Sequence, residues 1–485
     1  MVTKVTELQL HILHTNDVHS ELLSYARLVT QMRSLRQKLT DEGFDVLCFD
    51  LGDHIDLSNP LSYATMGRIN ANVLNVVGYD GLVYGNNETV TVDHAVWSEL
   101  AILSQTPMFC SNIAMPDNEW LVPSGMIFTV SGVKVGVCGV TVEYRNLLET
   151  IGVASQDPVS LAFNLCQNLY HAGADVVILL SHLGLHIDEM LVDQGIAADI
   201  IIGSHTHQFL TNGIKRKNVW IFQAGKHAKA FGHITMTVGK DRHLECVTGC
   251  LEYTQEDTPM DEAVAQVIDT YVPIARDELQ KSVAVIPTHL AHSLFGESQM
   301  VNLLCDQMKE TLEVQVAIVN GGVITAGFRM GPVKRGDLLA VCATPMRAVV
   351  IDVTGHQLLQ LFSDSLRKDL IASQGIGFGF RGHFVGRLHI AGGEVWIDRE
   401  MSEELCDEQV LTMMIAGKPI DLTQTYRIAV CEYVALSSLF KAIKGPAFRY
   451  QAPMLRTMLE KGLQSQSILN SARKPRYRHQ DQKIL

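Results

Sequence analysis

Short apolar runs recur along the first half of the chain, separated by longer stretches in which apolar residues return every third or fourth position. The short runs read as strands at 10–14, 46–51, 81–84, 108–113, 133–140, 175–181 and 199–203. The periodic stretches predict helices near 24–38, 63–77, 92–104, 158–171 and 186–195. Alternation of this kind predicts an α/β domain built on a largely parallel sheet. From 219 to 254 strand-like runs follow one another without helices, which predicts antiparallel strands and a second sheet stacked on the first. Residues 256–283 are polar with spaced apolar positions and read as a connecting helix, after which a second α/β unit runs over 284–465. The expected division is therefore 1–255, 256–283, 284–465 and a basic, solvated tail at 466–485.

Length and composition narrow this picture. A chain of 485 residues exceeds one ordinary core, and 47% hydrophobic with 19% charged residues is a folded, globular balance. The net charge of −13 argues against nucleic acid as a partner, since such proteins carry a basic face. An acidic protein that handles phosphates must concentrate positive charge locally, and bound divalent ions do this well. No apolar run approaches the roughly 18 residues of a membrane span, so no membrane partner is expected. The ten cysteines form no framework; Cys246 and Cys250 would lie roughly 13 Å apart along one strand, too far to bridge. With reduced cysteines and no apolar signal in Met1–Glu7, a cytoplasmic location is expected.

The polar residues carry the chemistry. In the first domain the predicted strands end in Asp17-Val18-His19, Gly52-Asp53-His54, Gly85-Asn86-Asn87-Glu88, Ser181-His182 and Gly203-Ser204-His205-Thr206-His207. In open α/β sheets ligands bind at the carboxyl ends of strands, so these groups are expected to converge. Asp17, His19 and His207 would hold one divalent ion, and Asn86, His182 and His205 a second, with the Asp53 carboxylate bridging both. Mixed oxygen and imidazole donors suit Mn²⁺, Zn²⁺, Co²⁺ or Fe²⁺. Two such ions ~3.5–4 Å apart would clamp a phosphate and acidify a water. A single Asp-x-His or His-x-His is commonplace; five strand ends that together complete two coordination shells are not.

The order Asp17-x-His19, Gly52-Asp53, Gly85-Asn86, His182, Gly203-x-His205-x-His207 resembles the calcineurin-like metallophosphoesterases. Within them it is most similar to the 5′-nucleotidase, UDP-sugar hydrolase and 2′,3′-cyclic phosphodiesterase branch. Ile12–Asp17, Ile200–His207 and Gln223-Ala224-Gly225 carry that likeness, and Gly296-Glu297-Ser298 and Asn320–Ile324 extend it into the second half. The resemblance implies an N-terminal four-layer αββα domain, a smaller C-terminal α/β substrate domain, and metal-dependent hydrolysis of a small-molecule nucleotide or phosphate ester.

The family pattern is also broken. Its third motif normally carries a His and, further on, an Asp that stabilise the transition state or protonate the leaving group; here Asn87 and Val90 stand in those places. An amide hydrogen-bonds but is no general acid. His54 is the first candidate replacement, with His94 and Glu88 behind it. In the second domain Thr325 stands where the family has an Arg, leaving Arg347 and Arg381 as anion contacts. Phe378 or Phe380, with Tyr433, are expected either to stack on a base or to fill the core. The expected function is a metal-dependent phosphohydrolase, the alternative a catalytically weakened metal- and nucleotide-binding sensor or scaffold.

Overall fold

The computed structural model describes residues 8–114, 125–377, 379–401, 406–445 and 447–479. The chain divides into two compact units, Met1–Ala275 and Arg276–Leu485. The helix Glu262–Gln280 carries the division; its Val264 and Ile268 belong to the first unit's core, which is why that unit extends past residue 255.

The first unit holds strands β1 (Leu8–Thr15), β2 (Asp45–Asp50), β3 (Gly81–Leu82), β4 (Met126–Val130), β5 (Val133–Thr141), β6 (Val176–His182), β7 (Ile200–Gly203), β8 (Ile214–Arg216), β9 (Val219–Phe222), β10 (Ala230–Val238) and β11 (Leu244–Tyr253). They form a five-stranded sheet, β11-β10-β1-β2-β3, and a six-stranded sheet, β8-β9-β7-β6-β5-β4. Ile12, Phe49 and Ile234 of the first sheet pack with Val137, Ile178, Leu180 and Ile202 of the second in one shared core. Helices cover both outer faces. Helix α1 (Leu22–Asp41) buries Leu22, Tyr25, Ala26, Val29 and Met32, a helical stripe lying over Leu13 and Cys48. On the other side α2 (Pro158–His171), capped by the Asp157 carboxylate accepting from Ser160 N, buries Ala162, Leu165, Cys166 and Leu169 over Val177 and Leu179. The architecture is four-layered, αββα.

Two expectations change here. The strands of 219–254 form no sheet of their own: β9 extends the second sheet, while β10 runs antiparallel beside β1 in the first. The run 108–113 is mostly loop, with Met108 bridging Leu82 and a two-residue strand at Ile113–Ala114.

In the second unit the strands Leu388–Ala391, Val316–Asn320, Thr425–Cys431, Arg347–Thr354 and Phe448–Met454 form one mixed sheet in that order. The described part of the tail is built in rather than solvated. Gln466–Ser471 is helical, and Tyr477–His479 pairs in parallel with Val395–Ile397. Arg476 Nη2 reaches both Asp306 oxygens at 2.7 and 2.8 Å, and the buried Tyr477 hydroxyl donates to Leu388 O at 2.6 Å. Within the basic run Arg476 and Arg478 pair with Asp306 and Glu394 of the same unit. Breaking a buried pair strands one charge, so Arg476→Ala should destabilise the second unit by about 3 kcal/mol. The check is the midpoint of urea unfolding in the full chain, where an unchanged midpoint would return the tail to solvent.

Candidate metal centre

Parallel pairing aligns the strand ends. Thr15 stands opposite Asp50, Asp50 opposite Leu82, and Ser181 opposite Gly203. The chain leaves these ends through sharp turns, and five of the candidate ligands hold left-handed backbone: Asp17 (φ +53°), His19 (+48°), Asp53 (+50°), His205 (+72°) and His207 (+60°). Such conformations cost of the order of 1–3 kcal/mol each and persist where surrounding contacts impose them. Gly52 (φ +86°) lets the second turn close, because a Cβ there would lie 2.4 Å from Gly85 N.

The turns bring two donor groups together. Asp17, His19 and His207 offer ligand atoms within 4.8 Å of one another, and so do Asp53, His182 and His205. His207 Nε2 lies 3.4 Å and His19 Nε2 3.8 Å from Asp17 Oδ1. Asp53 turns one oxygen to each group, with Oδ1 3.5 Å from His182 Nε2 and Oδ2 3.9 Å from His19 Nε2. Asn86 directly precedes Asn87, whose backbone N–H donates to Asp53 Oδ1 at 2.7 Å.

These donors are held and aimed. Asp17 Oδ2 accepts from Asn16 Nδ2 (2.7 Å), Ser204 Oγ (2.9 Å) and His205 N (3.1 Å), which leaves Oδ1 pointing into the group. His182 Nδ1 sits 2.6 Å from Leu51 O, so its proton belongs there and Nε2 keeps a lone pair. Gln223 ties the histidine loop through Nε2 to Ser204 O and Oε1 from Gln208 N. Glu88 accepts from Gly85 N, Asp53 N and Ile55 N, bracing the Asp53 turn.

Three atoms test whether cations fit. Asp17 Oδ1, Asn86 Oδ1 and His182 Nε2 are buried without a hydrogen-bond partner among the described residues. An orphaned buried acceptor is costly unless a cation completes it. Burial holds His182 below its usual range and lowers His19 and His205 to about 4, so these imidazoles are neutral donors near pH 7. Burial, reinforced by Glu88 and Asp17, pushes Asp53 well above the carboxylate range, which is the signature of a negative centre short of positive charge. The donor set therefore fits two divalent ions.

The structure places the other expected residues differently. His54 points away from the ligands: its ring meets the Tyr25 edge at 4.9 Å and its Nδ1 faces Asn70 Nδ2 at 3.2 Å. Burial lowers it to about 3, so at neutral pH it is a neutral imidazole rather than an imidazolium acid. Glu88 is committed to its three backbone donors, and His94 stands on a turn 3.5 Å from Asp93. Asn87 Nδ2 donates to Ile55 O (2.8 Å) and lies 3.0 Å from His19 Nδ1. In the second unit Arg347 is buried, and Arg381 is exposed with Nη1 on Gly379 O. Phe380 and Tyr433 are buried against each other with centroids 4.6 Å apart, so no base fits between them and the core alternative describes this pair. Phe378 lies outside the described residues.

Two polar groups escaped the strand-end reasoning. His227 (φ +60°) donates its backbone N–H to Asp17 O at 2.8 Å, and its ring lies 5.5 Å from that of His19. It precedes β10 rather than following a strand; because β10 runs antiparallel to β1, its start shares the edge where β1 ends. Asp56, buried, brings Oδ2 to 3.8 Å from His19 Nδ1.

Sequence profiles agree with this geometry. Residues 10–209 match calcineurin-like phosphoesterase and residues 280–443 match the 5′-nucleotidase C-terminal domain. The chain belongs to the calcineurin-like phosphoesterases that carry a 5′-nucleotidase C-terminal domain. It is 28% identical to the uncharacterized metallophosphoesterase YunD of Bacillus subtilis, over 90% of this chain and 95% of that one. It is 22% identical to 5′-nucleotidase of Mus musculus over 88% of this chain and 82% of that one. Among solved structures, NAD nucleotidase of Haemophilus influenzae superposes with a TM-score of 0.67 at 15% identity, covering 98% of this chain and 99% of that one. The 5′-nucleotidase precursor of Thermus thermophilus gives 0.56 at 20% identity, covering 98% and 100%. Calcineurin-like phosphoesterases use divalent metals, and these clusters are where this member has the donors for them.

The bracing of Asp17 sets an expectation. Removing an outer partner of a metal ligand typically weakens metal binding about 10–100-fold. Asn16 holds Asp17 Oδ2 and also spans Gly225 O and Ala224 N, so Asn16→Ala should fall in that range by chelator competition. Wild-type affinity in the variant would show that Asp17 needs no such aim.

Proposed function

We propose that the protein is a divalent-metal-dependent phosphohydrolase acting on nucleotides or related phosphate esters and anhydrides. The observation that supports this most is Asp53, a buried carboxylate with one oxygen towards each of two histidine-containing donor groups. Asp17, His19 and His207 would hold one ion; Asn86, His182 and His205 the other; Asp53 both. When bound, the ions supply a water acidified for attack and a positive surface for the phosphoryl oxygens. Asn16, Ser204 and Glu88 keep the ligands oriented. Asn87 serves this reading as a positioning residue, since its side chain is spent on Ile55 O and His19. No observation favours a non-hydrolysing sensor.

Substrate recognition falls to the second unit in this reading. There an open pocket of about 350 Å³, lined by Gln374, Gly375, Gly382, His383 and Phe384, offers a part-exposed aromatic face that the buried Phe380–Tyr433 pair does not. A cytoplasmic location remains part of the proposal.

Asp53→Asn should release at least one ion and abolish hydrolysis, because a neutral amide cannot balance two cations. Elemental analysis decides it: full metal content in the variant would sink the bimetal reading. A second expectation concerns leaving groups. With Asn87 and Val90 in place of a His–Asp pair, this site lacks the ~10²–10⁴-fold that general acid catalysis gives a basic alkoxide. Anhydrides, cyclic diesters and activated aryl esters should be turned over in preference to nucleoside monophosphates. Asn87→His with Val90→Asp should raise monophosphate turnover more than aryl phosphate turnover at matched metal occupancy. An unchanged ratio would mean that another group already provides the proton.

A further inference from the structure

A third cluster of metal-ligating side chains lies on the outer face of the first sheet, away from the strand ends. His233 on β10 stands directly opposite Cys250 on β11. Glu252, two residues along β11, projects from the same face because side chains alternate along a strand. A His233 nitrogen, Cys250 Sγ and a Glu252 oxygen lie within 4.8 Å of one another, and Cys250 Sγ is 3.6 Å from Glu252 Oε1. His11 on β1 stands behind them, its Nδ1 3.0 Å from His233 Nε2. The His11 ring is fixed by Phe44, edge-on at 5.0 Å, and by Thr235 Oγ1 at 3.2 Å from Nδ1. Its Nε2 is buried without a hydrogen-bond partner among the described residues.

We propose that His233, Cys250 and Glu252 form a separate binding site for a thiophilic divalent cation, Zn²⁺ foremost, with His11 orienting His233. One thiolate, one imidazole and one carboxylate are zinc donors, and the sulfur discriminates against Mg²⁺, Ca²⁺ and Mn²⁺. Three protein ligands leave a fourth position for water. An imidazole that binds a metal through one nitrogen holds its other N–H on an acceptor, and His11 Nδ1 is placed as that acceptor for His233 Nε2. His233 Nδ1 is then the nitrogen that meets the ion. Binding replaces a proton: the Cys250 S–H bond breaks, the proton leaves to solvent, and the sulfur–metal bond forms with no change of oxidation state. Because that proton must leave, affinity should rise with pH.

The position gives such an ion a structural use. β11 is the edge strand of its sheet, and edge strands are where pairing frays and foreign strands add on. A cation shared by β10 and β11 would clip that edge closed. The site is reachable, with Cys250 exposed and His233 and Glu252 half-buried.

Cobalt substitution of the full chain tests this independently of the hydrolase reading, because none of the seven proposed catalytic ligands is a cysteine. Co²⁺ bound here should produce a near-ultraviolet thiolate-to-cobalt charge-transfer band, which Cys250→Ser and His233→Ala each remove. Cys246, also exposed and on the same strand, provides an internal control. Zn²⁺ should slow alkylation of Cys250 about tenfold or more while leaving Cys246 unprotected, since a coordinated thiolate is withdrawn from reaction. Absence of the band in wild type, its survival in Cys250→Ser, or equal protection of the two cysteines would each overturn the proposal. Retention of the band in His233→Ala would overturn the assigned ligand set.

Discussion

Two carboxylates buried without a lysine or arginine are the constraint on which the first unit depends. Among the described residues, the basic groups within 4 Å of Asp17 and Asp53 are histidines, and burial keeps the His19 and His182 imidazoles neutral near pH 7. Isolated carboxylates in such a place are expensive, and proteins respond by protonating them or by binding a cation. Asp17 cannot take the first course easily, since three donors already grip Oδ2 and favour its charged form. The surrounding polar lattice is arranged for the charged state, and that arrangement makes sense only with positive charge in the middle.

The backbone follows from the same requirement. A ligand at the end of a strand must turn back over the sheet edge to face its counterparts, and the left-handed φ values at Asp17, His19, Asp53, His205 and His207 are those turns. Asp and His tolerate this region better than β-branched residues do, so side-chain chemistry and backbone geometry select overlapping residue types. Glycine at 52 and the triple acceptance by Glu88 lock the Asp53 turn from both sides. Rigidity is thus built into backbone contacts, which do not depend on the ions they serve.

How much of this was legible depended on what each residue obeys. Strand ends in a parallel sheet share an edge whatever the details of the turns, so position after an apolar run was enough to bring Asp17, His19, His207, Asp53, His182 and His205 into two groups. The same rule was blind to His227, because antiparallel β10 presents its beginning, not its end, at that edge. His54 misled for a related reason: consecutive side chains diverge, and the neighbour of an inward-facing Asp53 enters the core beside Tyr25. The run 108–113 is apolar because Met108, Phe109, Cys110 and Ile113 are buried, and burial alone does not make a strand. Composition failed in the tail, where Arg476 and Arg478 look solvated until Asp306 and Glu394 are seen beside them. Long-range pairing of this kind has no local signal.

Asn87 shows how an amide can be committed to the loop that carries it. Its side-chain nitrogen donates to Ile55 O and lies 3.0 Å from His19 Nδ1, while its backbone N–H holds Asp53 Oδ1. Every one of these contacts ends on a candidate ligand or on the turn that carries one. The side chain of Asn87 is thus part of the scaffold that holds the candidate ligands. Metal affinity and proton transfer then become separable properties of this site. In the proposed reading the first rests on the contacts that aim Asp17 and Asp53, and the second is not supplied by Asn87, whose amide is no acid.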